Sequence, residues 1–105
     1  MADTLKVVES TPSATTVTDI YTAASAAVVT LVRVCNTSNT VTTYRMSVAI
    51  AGAGDAIGQY FVYERPINGY DTHEYAAPMN LASTDKIRAY VGNNTVNFFV
   101  HTLET

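Results

Sequence analysis

The stretch VVTLVRVCNTSNTVTTYRMSVAI, residues 28–50, carries the pattern that decides the fold of this chain. Apolar side chains recur at every second position in both of its halves, with Thr30 as an exception in the first. The positions that share a face are Val28, Val32 and Val34 in the first half and Tyr44, Met46, Val48 and Ile50 in the second. Alternation with a period of two is typical of a β-strand that buries one face. The stretch therefore predicts two β-strands with one apolar face each.

The segment NTSNT, residues 36–40, separates the two strands and consists of residues that favour turns. We expect it to close a hairpin. Matching the apolar faces of the hairpin places Arg33 opposite Arg45 on the outer face, which is unfavourable by about a few tenths of a kcal/mol. A two-residue slip relieves the repulsion, and so does a carboxylate. Glu64 is one candidate within the chain, and a partner subunit is another source.

Similar short runs of β-branched and aromatic residues recur along the rest of the chain, between clusters of turn-forming residues. The predicted strands are residues 5–9, 17–22, 27–35, 43–50, 59–64, 72–77, 86–91 and 96–103. This spacing predicts an all-β chain that forms a single antiparallel β-sandwich, jelly-roll or Ig-like, of about seven to eight strands. Residues 17–105 form the sandwich domain, and residues 1–16 form an N-terminal arm or edge strand.

The composition leaves such a sandwich short of surface charge. Of the 105 residues, 48% are hydrophobic and 14% are charged, which is less charge than a typical soluble domain has. The length suits one domain with one core. Two interpretations stay open. Neighbouring subunits bury the apolar surface, or the sixteen threonines provide a polar surface together with serine and asparagine.

The charge distribution argues against two kinds of partner. The net charge is −3 and the six basic residues are scattered, whereas a nucleic-acid interface needs Lys and Arg clustered on one face. The longest weakly polar stretch, residues 23–35, is too short to span a bilayer. No basic and then apolar segment opens the chain, so we expect no secretory signal. We predict neither a nucleic acid nor a membrane as partner.

No arrangement of reactive side chains predicts an enzyme. Cys35 ends an apolar strand and has no base tied to it by local spacing, so we expect a buried, inert thiol. Asp71 and His73 would share a strand face, but two ligands do not make a metal site. The glycines of AGAGDAIG, residues 51–58, lack the spacing of a dinucleotide-binding loop. We predict no catalytic residue, no metal-binding residue and no cofactor.

The chain has seven tyrosines and no tryptophan. Tyr60 and Tyr63 fall on opposite faces of one predicted strand. Tyrosine suits both a sandwich core and a subunit interface, because its ring is apolar and its hydroxyl stays near water. A carbohydrate-stacking site is the alternative use of these rings.

Three segments that follow one another over residues 19–104 carry a family resemblance. The first, DIYTAASAAVVTLVRVCNTSNTVTTYRMSVAIAG, has a Tyr-Thr strand, a Val-rich strand ending in VCN and a strand followed by Ala-Gly. The second, QYFVYERPINGYDT, has the Tyr-x-x-Tyr and Pro-Ile positions, with Glu64 where the family has Asp. The third, LASTDKIRAYVGNNTVNFFVHTLE, has the closing aromatic strand, with His101 where the family has Gly. The chain resembles a small family of virion structural proteins of tailed bacteriophages.

This resemblance implies a β-sandwich without catalytic activity that is assembled in many copies on a virion, after synthesis in the bacterial host cytoplasm. The preferred role is that of a head decoration (cement) protein, which bridges and stabilises capsid subunits. The alternatives are a neck, collar, tail or baseplate component, and a receptor- or glycan-binding module of a tail fibre. The implied partners are further copies of the chain, as a trimer, and virion proteins such as the major capsid protein.

We predict an interface that draws on the arm, the two arginines and the tyrosine-rich segments. Leu5 and Val7 belong to the arm, which can add a strand to a neighbour's sheet. If the arginine face is an interface, acidic residues of another chain should contact it. The candidate interface residues are Arg33, Arg45, Tyr60, Glu64, Tyr70, Leu5 and Val7.

Overall fold

A computed structural model describes residues 3–76 and 78–105 of the chain. These residues form a five-stranded sheet and a four-stranded sheet that pack face to face. In chain order the strands are β1 (Thr4–Ser10), β2 (Thr18–Thr22), β3 (Ala27–Asn36), β4 (Thr42–Ala49), β5 (Tyr60–Ile67), β6 (Thr72–Tyr75), β7 (Met79–Leu81), β8 (Lys86–Val91) and β9 (Val96–Glu104). Two 3-10 turns, Ile50–Gly52 and Ile57–Gln59, lie between β4 and β5. The predicted antiparallel β-sandwich is confirmed.

The strand order is that of a jelly roll. One sheet has the order β1-β9-β3-β6, with β7 also paired to β3, and the other has the order β2-β8-β4-β5. The chain therefore crosses from one sheet to the other at most of its connections, while β4 and β5 form a hairpin within the four-stranded sheet. This arrangement pairs the first and last strands, with β1 at the edge of the five-stranded sheet and β9 beside it.

The predicted hairpin between residues 27–35 and 43–50 is wrong. β3 pairs with β6, β7 and β9, whereas β4 pairs with β5 and β8 in the opposite sheet. The two apolar faces that suggested pairing instead face each other across the core, which buries both of them. Arg33 and Arg45 consequently lie on opposite outer surfaces of the sandwich, and the predicted repulsion between them does not arise.

The crossing from β3 to β4 is fixed by Asn36, whose side chain is fully buried. Its amide group donates to the carbonyls of Thr40 (2.8 Å), Ile67 (3.3 Å) and Asn68 (3.3 Å), and its oxygen accepts from the Ser38 amide (3.1 Å) and the Thr95 hydroxyl (3.0 Å). Three chain segments at one end of the sandwich are thus joined through one side chain. The segment NTSNT is a corner between the sheets.

A β-bulge divides β3 into two halves with opposite alternation. The register with β9 shifts between Val29 and Leu31, so one extra residue, Thr30, stands in β3. Val29 is therefore buried together with Val32, whereas Val28 lies half-buried on the outer face. The prediction that Val28 shares the inner face with Val32 is wrong for this reason.

The core lies between the two sheets and is built from their inward-facing positions. Tyr44 from β4 packs edge-on against Phe98 from β9, with ring centroids 6.0 Å apart. The largest fully buried side chains are Tyr44, Phe98, Met46, Ile67, Ile87, Val29, Val32, Val34, Val91, Val96, Val100 and Asn36. Close interdigitation of these side chains holds the sheets together.

Most predicted strands agree with the observed ones to within a few residues, and two differences stand out. The prediction missed β7, a three-residue strand that pairs with β3. The predicted strand 72–77 ends earlier, as β6, and its last residue lies outside the described residues. Residues 1 and 2 of the expected arm also lie outside them. From Thr4 to Ser10 the arm runs as β1 along β9, at the edge of the five-stranded sheet.

Candidate interaction surface

The outer surface of the five-stranded sheet carries a group of apolar side chains from β1, β9 and β3. We call this group the apolar face, and its residues are Leu5, Val7, Val28, Leu31, Phe99 and Leu103. Leu5 is 82% exposed and Val7 is 56% exposed, while the other four are half-buried. Antiparallel sheets with one face in a core usually carry polar side chains on the other face. An apolar outer face is therefore a candidate interaction surface.

His101 stands at the centre of the apolar face. The strand register places it beside Val7 on β1 and beside Leu31 on β3. The Thr30 hydroxyl, at the bulge, donates to the His101 carbonyl at 3.2 Å. A groove of about 330 Å³ passes over this position, and its lining consists of Leu5, Lys6, Val7, Thr30, His101 and Thr102. The face thus has apolar side chains around one imidazole at its centre.

Charged residues border the apolar face at the level of Phe99. There Phe99 lies between Glu9 on β1 and Arg33 on β3. Arg33 is directly opposite Glu74 on β6, and its Nε donates to the Glu74 carboxylate at 2.8 Å. Both side chains are about half exposed, so the pair contributes at most about 1 kcal/mol to stability. It marks one limit of the apolar face.

Arg45 occupies the outer surface of the four-stranded sheet, where two tyrosine rings enclose it. Its guanidinium carbon lies 4.6 Å from the ring centroid of Tyr63 and 4.3 Å from that of Tyr90. Glu64 accepts from its Nε at 2.8 Å, and this hydrogen bond holds the pKa of the Glu64 carboxyl below its usual value. The partner of Arg45 is thus Glu64, the carboxylate within the chain that the sequence analysis names as a candidate. Tyr60 packs edge-on against Tyr63, with ring centroids 5.4 Å apart, so the prediction that the two fall on opposite faces is wrong; the register of β5 with β4 shifts between Tyr60 and Val62.

A chain of hydrogen bonds joins the two sheets beneath β5 and β6. Arg65 donates to the Tyr75 hydroxyl at 2.8 Å, the Tyr75 and Tyr44 hydroxyls bond to each other, and Tyr44 lies 2.8 Å from Nδ1 of His73. Burial, helped by the charge of Arg65, lowers the pKa of His73, so its imidazole is neutral near pH 7. A neutral ring with its proton on Nε2 accepts from Tyr44 and points that proton at Asp71, 3.5 Å away. The hydroxyls of Tyr75 and Tyr44 then each accept one hydrogen bond and donate one.

A second concave site opens between β5 and the β6–β7 edge. Its volume is about 480 Å³, and its lining consists of Val48, Gly58, Gln59, Tyr60, Phe61, Tyr75 and Met79. The Tyr60 hydroxyl is directed to the Asp55 carboxylate at 2.8 Å. The Tyr75 hydroxyl belongs to the hydrogen-bond chain described above. The cleft therefore offers mainly apolar and aromatic surface, in a volume that suits a small molecule.

The structure distributes the seven predicted interface residues over three places. Leu5, Val7 and Arg33 lie on the outer surface of the five-stranded sheet. The outer surface of the four-stranded sheet holds Arg45, Tyr60 and Glu64. Tyr70 stands apart in the turn before β6, 75% exposed and with a left-handed backbone (φ 60°). The predicted single face with both arginines does not exist.

Sequence reasoning missed most of the apolar face. Phe99 and Leu103 lie on β9, where inward positions alternate with outward positions that, after Asn97, are also apolar or aromatic. Apolar and aromatic residues on both faces of the segment VNFFVHTLE are the feature of the sequence that indicates this surface. Cys35 also differs from its prediction, because it is half-buried on the outer side of β3, opposite Thr72 of β6.

Comparisons with family models, with curated proteins and with solved structures gave no match to this chain. Within residues 3–76 and 78–105, no helix is long and apolar enough to cross a bilayer. The same residues contain no group of three or more His, Cys, Asp or Glu side chains placed to hold a metal ion. The apolar face and the cleft are the features from which a function can be argued.

Proposed function

We propose that this chain is a non-enzymatic structural protein of a tailed-bacteriophage particle and that it binds its neighbours through the apolar face. The observation that carries the proposal is the set of apolar side chains on the outer surface of the five-stranded sheet, led by Leu5 at 82% exposure. The resemblance of residues 19–104 to virion proteins supplies the setting. A jelly roll fits that setting, although the same fold also serves lectins and cupins.

The physical role would be to bury the apolar face against a neighbouring subunit. The chain has few charged residues to keep such a surface in water, with 14% charge overall. A specific contact buries about 1,000 Å² or more in total, and six apolar side chains with their charged border suit the centre of such a contact. Many copies on one particle would add avidity to a modest single contact.

Within this proposal, the preferred role is a head decoration protein that bridges capsid subunits. Trimers suit this role because a shell offers repeated three-fold positions. A neck, collar, tail or baseplate component would use the same face against a different neighbour.

A second candidate function is a receptor- or glycan-binding module of a tail fibre. The cleft beside β5 favours it, since the rings of Tyr60, Phe61 and Tyr75 line one concave site. Sugars stack on such rings. Binding of a glycan array that disappears in Phe61→Ala, with the fold intact by circular dichroism, would support this function over the structural one.

The test of the structural proposal is cryo-electron microscopy of virions purified from the phage that encodes the chain. Density for the jelly roll at local three-fold positions of the capsid would support decoration. Density at the neck or tail would support the other structural role. Particles that contain none of this chain by mass spectrometry would overturn the proposal.

A matched pair of variants tests the apolar face itself. Leu31→Asp places a charge within the face, and Val41→Asp places one on an exposed valine of the corner between β3 and β4. We expect particles that lack the chain to rebind Val41→Asp normally and to rebind Leu31→Asp roughly tenfold or more weakly, because a buried unpaired charge is costly. Equal rebinding of the two folded variants would exclude the apolar face as the contact.

A further inference from the structure

The four outer edges of the two sheets differ in how they are protected from pairing with another strand. β2 has five residues and a register shift between Asp19 and Tyr21. β5 contains Pro66 and two register shifts against β4. β6 and β7 have only four and three residues. Short length, bulges, proline and charged side chains are the features that keep sheet edges from pairing.

β1 has only one of these protections, the charged side chains of Lys6 and Glu9. It has seven residues, no proline, and an unbroken register with β9 from Thr4 to Ser10. Its other side has no strand beside it within residues 3–76 and 78–105. Backbone N–H and C=O groups on that side are free to pair with a further extended strand.

We propose that β1 pairs antiparallel with β1 of a second copy, so that the five-stranded sheets of two molecules form one continuous sheet across a two-fold axis. A second copy is the partner that the chain itself favours, because β1 is its longest edge strand with an unbroken register and can be placed opposite itself without opposing two like charges. The pairing deepens the proposed function and rests on the apolar face being an assembly surface.

The side-chain pattern of β1 selects the register. Residues directly opposed in an antiparallel pair point to the same side of the sheet. Leu5, Val7 and Glu9 share one side of β1, so each of them must stand opposite one of these three residues of the second copy. A register centred on Lys6 would oppose two lysines and is disfavoured. A register centred on Val7 opposes Val7 to Val7 and Leu5 to Glu9, avoids opposed like charges, and pairs all residues from Thr4 to Ser10.

This register also joins the two apolar faces. Val7 lies beside His101 in each molecule, so a row of Leu31, His101 and Val7 would continue directly into Val7, His101 and Leu31 of the second copy. Adjacent three-fold positions of a shell are related by two-fold axes, so the pairing is compatible with trimers and would connect one trimer to the next. The pairing covers the exposed apolar side chains of β1 whether or not the chain also forms trimers.

Disulfide trapping tests the proposed register. In a Cys35→Ser background, Val7→Cys should form a covalent dimer under mild oxidation, because directly opposed Cβ atoms lie about 4.5–5.5 Å apart and a shift of about 1 Å between the two exposed strands brings them within the range of about 3.5–4.5 Å that a disulfide requires. Val41→Cys is the matched control, since Val41 is 55% exposed and Val7 is 56% exposed. We expect a roughly tenfold higher dimer yield at position 7. A mixture of Leu5→Cys and Glu9→Cys should cross-link, whereas Leu5→Cys alone should not.

Sedimentation equilibrium tests the pairing without cysteine chemistry. The unmodified chain should dimerise between about 1 µM and 1 mM, and Val7→Lys should weaken dimerisation roughly tenfold or more, since it opposes two lysines. Val41→Lys should leave it unchanged. Equal trapping at positions 7 and 41, or a chain that stays monomeric at 1 mM, would overturn the pairing. If either result is obtained and the chain is nevertheless found in virions, the pairing is wrong and the proposed function is unaffected.

Discussion

Asn36 determines where the chain passes from one sheet to the other. The amide is fully buried, so its hydrogen bonds to the segments 38–40, 67–68 and 95 have no competition from water. Removing one partner of a buried hydrogen bond leaves the other group unsatisfied, at a cost of about 1–3 kcal/mol. The energetic importance of this residue comes from the number of segments that share it.

We predict that Asn36→Ala lowers the free energy of unfolding by about 2–4 kcal/mol, as measured by urea denaturation. The lost side chain leaves the carbonyls of Thr40 and Ile67 without their amide donor. Asn39→Ala, at an exposed position in the same corner, serves as the control and should change stability by less than about 0.5 kcal/mol. Equal effects of the two substitutions would contradict this account of the corner.

At the scale of the element, β3 shows how one inserted residue changes which side chains are buried. Strict alternation counted back from Val32 would bury Val28 and expose Val29. The bulge at Thr30 reverses that assignment, so Val29 is 1% exposed. The residue gained on the outer side, Val28, becomes part of the apolar face. The bulge thus contributes to the interaction surface as well as to the core.

A pair of equivalent substitutions measures this reversal. Val29→Thr should destabilise the protein by about 1–3 kcal/mol, because it buries a hydroxyl group in the core. Val28→Thr should cost less than about 0.5 kcal/mol on the outer surface. Thermal and urea unfolding of both variants provide the measurement. A larger loss for Val28→Thr would mean that the alternation of β3 is unbroken.

At the scale of the whole molecule, the pairing of β1 with β9 brings the two ends of the described chain together. β1 contributes few side chains to the core, where Val8 packs partly buried against the main cluster. Its outward residues, in contrast, supply the most exposed part of the apolar face. The strand is therefore more important for the surface of the sandwich than for its interior.

We predict that deleting residues 1–10 leaves a folded β-sandwich whose free energy of unfolding is lower by about 1–3 kcal/mol. The loss comes from the hydrogen bonds of β1 to β9 and from the contact of Val8 with the core. Circular dichroism and urea denaturation check both statements. Val8→Ala in the full chain is the control that measures the apolar contact alone. A truncated chain that does not fold would show that β1 is essential to the domain.

Several properties of this protein follow from the sequence by itself. Alternation with period two, β-branched residues and turn-forming clusters predicted the strands and the antiparallel sandwich, because these signals depend on local backbone geometry. The sequence also offered Glu64 as a partner for Arg45, and the structure joins the two. Leu5 and Val7, which the sequence places in an N-terminal arm or edge strand, are exposed on β1 at the edge of the five-stranded sheet.

Tertiary structure alone decided which strands pair and which side chains meet. Two strands with apolar faces can pair side by side or face each other across a core, and their alternation is the same in both cases. The buried Asn36 and the close packing of Tyr44 against Phe98 select the second arrangement for β3 and β4. The apolar face likewise depends on the order β1-β9-β3, because residues distant in the chain form a surface only when hydrogen bonds place their strands side by side.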